Sequence, residues 1–186
     1  MSGLPLSGRL LVATPDLGDP NFRRTVVLVL DHGDDGALGV VLNRPSGTAL
    51  ADDLPAWFSL AAPPALVFVG GPVQQDVVLG LARVRPGDDG NGSGRAALAA
   101  LAVIDLGTDP GSLGVPVDAV RVFAGYAGWG TGQLEAEIAV GAWFVVDAEP
   151  GDALSPEPGE LWRAVLGRQP GRLALFASFP SDPGLN

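Results

Sequence analysis

The sequence contains no lysine and no cysteine, and its only histidine is His32. Without lysine there is no Walker-type phosphate loop and no Schiff-base chemistry. Without cysteine there is no disulfide framework, no thiolate nucleophile and no zinc ribbon. A Ser–His–Asp arrangement would have to run through His32, and no G-x-S-x-G elbow accompanies it. Long apolar runs are missing as well. Those near residues 26–30 and 96–104 fall far below the roughly 20 residues that span a bilayer. The first residues, MSGLPLSGRLLVATP, lack the basic and apolar regions of a secretory signal. These absences predict a cytoplasmic protein with no membrane association, no metal and no cofactor, and they lean against an enzyme.

Positive charge is scarce. The formal net charge is −10, and the 11 basic residues, all arginine, are scattered along the chain with Arg23-Arg24 and Arg83-Arg85 as the tightest groups. An acidic surface repels phosphate backbones, so direct nucleic-acid binding is disfavoured. A protein partner or a small ligand is left, of unknown identity. Oligomeric state is not readable from the chain.

What is present is enough apolar residue, 47% of 186 positions, to build the core of a single domain over residues 1–186. Glycine and proline make up nearly a quarter of the chain and punctuate the apolar runs, which reads as short strands joined by tight turns. Strands are expected over residues 9–14, 25–31 (TVVLVLD), 36–43, 65–69, 119–124 and 142–147. The run 25–31 is continuous, as in a strand covered on both faces. Residues 25–31 and 36–43 read as a hairpin, stopped by Pro45. Residues 77–84 and 96–106 read as a second hairpin around a polar loop at 86–94. Helices are expected at 51–60, 131–140 and 157–167, whereas 172–179 fits either strand or helix. Strands outnumber helices and do not alternate with them, so the class is α+β.

Five places could carry chemistry. His32 lies in DHGDD, residues 31–35, where a metal reading competes with a plain solvated hairpin turn. Residues 88–94 (DDGNGSG) imitate the start of an EF-hand loop, but position twelve would be Ala100 and strands flank it, so the motif fails. The richest segment is GYAGWGTGQLEAEI, Gly125 to Ile138, read as a glycine loop leading into a helix whose first N–H groups suit an anion. Tyr126 and Trp129 add apolar faces with polar tips, and Gln133 and Glu137 lie four apart on one helix face. G-x-G-x-x-G is absent, so a dinucleotide site has no support. Asn43-Arg44-Pro45 and Gly70-Gly71-Pro72 are further strand-end turns. If they meet the Gly125 loop they would line one crevice in which Arg44 grips a carboxylate or phosphate. If the glycines serve packing alone, alanine at Gly128 or Gly130 should unfold the chain.

Taken in order, GRLLVATPDLGDPNF (8–22), VVLVLDHGDDGALGVVLNRP (26–45), FVGGPV (68–73), GYAGWGTGQLEAEI, Trp143, Leu161-Trp162 and DPGLN (182–186) resemble the YqgE/AlgH family of bacterial proteins nearly end to end. Two details depart from the family pattern: Gly184 stands where serine is frequent, and residues 107–118 are rich in turns. The resemblance implies an α+β fold in which a bifurcated, strongly bent β-sheet forms a pseudo-barrel with helices packed outside. It also implies a cytosolic protein, some family members being labelled transcriptional regulators. It carries over no catalytic residue. The ligand-binding candidates are Asn43, Arg44, Gly70, Gly71, Tyr126, Gly128, Trp129, Gln133, Glu137 and His32. The leading reading is a non-enzymatic regulatory or interaction protein. The alternative is a small-molecule binder or enzyme that uses the crevice of the three turns.

Overall fold

The run expected to be covered on both faces forms β2 (Val26–Gly33), and its first five residues are buried. Side chains alternate across a strand, so one such run feeds two cores. Leu28 joins Leu10, Val12, Phe68 and Phe123 on one side, while Val27 and Val29 join Leu11, Ala13 and Trp129 on the other. The structure, a computed structural model, describes residues 6–84, 96–98 and 101–180. The EF-hand-like stretch 88–94, Arg85 and the tail 182–186 lie outside the described residues.

β1 (Arg9–Ala13) pairs antiparallel with β2, which pairs with β3 (Gly36–Val41) as the expected hairpin. β4 (Pro45–Ala49) follows. β3 thus stops ahead of Asn43-Arg44-Pro45, as expected, and Pro45 opens a further short strand at a first position where its missing N–H is tolerated. The helix expected at 51–60 splits. α1 (Leu50–Asp53) stops before Pro55, and a 3-10 helix covers Pro55–Leu60. A proline cannot donate to the preceding turn, and it starts the tighter helix instead. β5 (Leu66–Val69), β6 (Val73–Val84), β7 (Ala96–Leu98) and β8 (Leu101–Ile104) follow, with β8 pairing both β6 and β7.

β9 (Val117–Trp129) runs five residues past its last pairing with β5, at Ala124, and corrects the sequence reading most. The segment expected to be a loop from Gly125 is strand as far as Trp129, and only residues 130–132 turn before α2 (Gln133–Ala139). β10 (Trp143–Asp147), α3 (Leu161–Gly167) and α4 (Leu173–Phe176) are the last elements of the described residues, so the ambiguous stretch 172–179 holds a short helix.

The strand order is β10-β1-β2-β3-β9-β6-β8-β7, with β5 and β4 branching from β9. One edge of β9 pairs with β6. The other pairs in parallel with β5 at Val122–Ala124 and then, antiparallel, with β3 at residues 127–129. The hand-over falls at Gly125, whose φ of +72° is left-handed and suits glycine. The class is α+β, as expected. The described strands form an open path ending in β10 and β7, so their pairing does not close a barrel. Among the described residues, no helix is long and apolar enough to cross a membrane.

Candidate functional site

The branch in the sheet brings two of the expected turns together. Gly70 N–H donates to Ala124 O at 2.8 Å, and Val41 N–H donates to Gly70 O at 2.8 Å. A Cβ on Gly70 would stand 2.3 Å from Gly125 O, and one on Gly71 2.1 Å from the Tyr126 carbonyl carbon. The third turn joins them through Val69 N–H, which donates to Arg44 O at 2.8 Å. The three segments meet backbone to backbone, and the chain's own hydrogen bonds occupy the facing surfaces.

Their side chains diverge. Arg44 donates to the carbonyls of Asn21 (2.6 Å), Pro20 (2.9 Å) and Arg23 (3.1 Å). Burial, partly offset by Asp19, holds its pKa below the usual arginine value. Asn43 Oδ1 accepts from Val26 N–H at 2.9 Å, and its Nδ2 donates to Arg24 O at 2.9 Å. Together they fasten residues 20–26, and Phe22 in that loop is set against Trp129 (6.1 Å, stacked) and Trp143 (5.5 Å, edge-on). Tyr126 lies half-buried against the α3-side core.

At the end of β9, Glu137 Oε2 accepts from Trp129 Nε1 at 2.9 Å and Trp143 Nε1 at 2.8 Å. Its Oε1 accepts from Gln133 Nε2 at 2.9 Å, one helical turn away. Gln133 Oε1 in turn accepts from Gly130 N–H at 3.1 Å, which caps the turn into α2. Gly128 and Gly130 are exposed, and a Cβ there would meet nothing closer than 3.5 Å and 3.9 Å.

His32 points to the opposite side of α2. Its Nε2 lies 2.7 Å from Glu135 Oε1, and its Nδ1 accepts from Leu6 N–H at 3.3 Å. An accepting Nδ1 leaves the proton on Nε2, which donates to the carboxylate. Glu135 is held below the ordinary carboxylate pKa by a bond from its own backbone N–H and then by His32. Both ring nitrogens are therefore engaged. His32 and Trp129 line an open cleft of about 320 Å³ together with Asp31, Asp34 and Asp35, and Arg44 and Glu137 are not in that lining. Among the described residues, no three histidine or carboxylate side chains group to hold a metal.

The AlgH-like family model matches residues 10–174. The chain belongs to the AlgH-like family. A UPF0301 protein of Streptomyces coelicolor is 53% identical to it over the full length of both chains. One of Mycobacterium tuberculosis is 47% identical, covering 97% of this chain and 90% of its own. A crystal structure of a Corynebacterium diphtheriae protein superposes with a TM-score of 0.88 at 34% identity, covering 96% and 95% of the two chains. The solution structure of AlgH from Pseudomonas aeruginosa gives 0.68 at 33% identity over 98% of both.

In this AlgH-like chain the sequence reading missed Arg121, a β9 residue only 2% exposed. It donates to the carbonyls of Ser155 (2.8 Å), Ala62 (3.3 Å) and Pro63 (2.5 Å) and lies 4.2 Å over the Phe68 ring. Its Nε is buried without a partner, and burial pushes its pKa down to about 10. The available signal was one arginine between Val120 and Val122, where alternation places it on the Phe123 face. Its role is to tie two loops to the sheet, through backbone carbonyls and a ring.

Proposed function

We propose that this AlgH-like protein is a non-enzymatic interaction protein, working in the cytoplasm through a protein partner or small ligand and not by gripping DNA itself. The observation that carries this reading is His32. The side chain best suited to general acid–base chemistry has one nitrogen on Glu135 and the other on Leu6, leaving neither for a substrate. Arg44 and Glu137 are likewise spent on the chain's own groups. The net charge of −10 supports a role beside gene control instead of on the duplex. The branched sheet, bent into the pseudo-barrel that the family resemblance implies, is the scaffold in this reading.

Capture from a native lysate, paired with a low-salt titration against duplex DNA, tests it. A specific protein or small molecule retained by the folded chain, with no DNA binding below micromolar concentration, is the expected result. Tight, salt-sensitive DNA binding would overturn it. A second reading draws on the lining shared by His32 and Trp129, which favours a small molecule in that cleft. Such a ligand would move the Trp129 indole resonance on binding.

A further inference from the structure

Arginines scattered in sequence gather in space around residues 15–24. A cleft of about 320 Å³ is lined there by Pro15, Asp16, Leu17, Arg23, Arg24 and Phe179, among others. Arg24 is part of this lining. Its backbone has φ of +55°, unusual for a residue with a Cβ, and Asn43 fixes it by accepting from Val26 on one side and donating to Arg24 O on the other. The guanidinium lies 4.4 Å over the Trp162 ring and donates through Nη2 to the carbonyls of Phe179 and Pro180. Burial, then the like charges of Arg163 and Arg23, hold its pKa below the arginine norm. Arg23 and Arg163 have interactions of their own, so what they add at the cleft is field. Arg44 fastens the back of the same loop. Asp16 opposes the local positive charge, and Asp19 is set against Arg44.

We propose that this cleft binds a small oxyanionic ligand, a phosphate or paired carboxylates, whose charge relieves the repulsion among Arg23, Arg24 and Arg163. A guanidinium stacked on an indole recognises oxyanions through the N–H groups it has left, and in Arg24 only Nη2 is given to the Phe179 and Pro180 carbonyls. The proposal rests on the small-ligand arm of the function proposed above, at a cleft separate from that of His32 and Trp129, and names the ligand class. A folded, acidic protein that concentrates cations at one concavity focuses the field there, and an anion gains most where the positive charges cannot separate.

The test is an NMR titration of the whole chain with pyrophosphate and, separately, citrate, following the Trp162 indole and Gly18 amide resonances. Saturable shifts at millimolar ligand or below are expected, with Arg23→Gln or Arg24→Gln weakening the binding by about tenfold or more. Thermal melts establish that each variant folds; should Arg24→Gln fail to fold, Arg23→Gln decides. Absence of saturable shifts, or equal binding by Arg23→Gln, would overturn the proposal. A preference between pyrophosphate and citrate separates the phosphate source from the carboxylate one. A blank titration beside an intact partner capture removes this inference alone.

Discussion

At Glu137 one carboxylate oxygen accepts two indole N–H groups, and both tryptophans are nearly fully buried, 5% exposed for Trp129 and 4% for Trp143. Replacing Glu137 by alanine strands both donors where water does not reach easily. An unsatisfied buried donor costs about 1–3 kcal/mol, so Glu137→Ala should destabilise the fold by about 2–5 kcal/mol. Glu137→Gln, which keeps an acceptor oxygen, should cost clearly less. Urea denaturation followed by tryptophan emission measures both, and equal losses would show that the acceptor is not what matters. The i to i+4 relation of Gln133 and Glu137 was legible because helix geometry alone sets it. The bonds from Glu137 to Trp143 and from Glu135 to His32 were not, since the latter pair is 103 residues apart in the chain.

Among the elements, β9 shows how glycine decides architecture. Its edge is handed from β5 to β3 across Gly125, and Gly70 and Gly71 let the backbones of three strands approach. Alanine at Gly71 would place Cβ 2.1 Å from the Tyr126 backbone, whereas at Gly128 it would meet only the edge of the Tyr126 ring at 3.5 Å. Gly71→Ala should therefore lose more than about 4 kcal/mol or fail to fold, and Gly128→Ala should stay within about 1 kcal/mol of the parent. Comparable melting temperatures for the two would refute this account of the branch. The expectation that Gly128 or Gly130 governs stability moves to Gly70, Gly71 and Gly125, since glycine content revealed close packing but not which glycine meets backbone. Strand positions were largely readable from apolar runs. The extension of β9 was not, because Gly-rich segments have low intrinsic strand preference and only pairing with β3 and β6 makes this one extended.

For the molecule as a whole, the net charge of −10 is spread over a surface whose arginines are unevenly placed. Self-repulsion lowers the stability of a compact state, and salt near 0.15 M screens it over about 8 Å. The melting temperature should rise by ~2–4 °C between low salt and 0.15 M sodium chloride, the change that about 1 kcal/mol produces in a chain of this size. A fall would mean that attractive pairs such as Arg168–Asp152, at 2.6 Å, outweigh the repulsion.

By itself the sequence determined the α+β class, most strand positions, the membership of the family and the lack of any lysine or cysteine chemistry, because composition, periodicity and motif order are local or countable properties. Tertiary structure alone decided where the sheet branches, that His32 is engaged at both nitrogens, that Arg121 is buried against carbonyls 34 to 59 residues away, and that Arg23, Arg24 and Arg163 share one neighbourhood. Those are long-range pairings. Their free energy depends on which surfaces the packed sheet brings into contact, and no spacing along the chain encodes that.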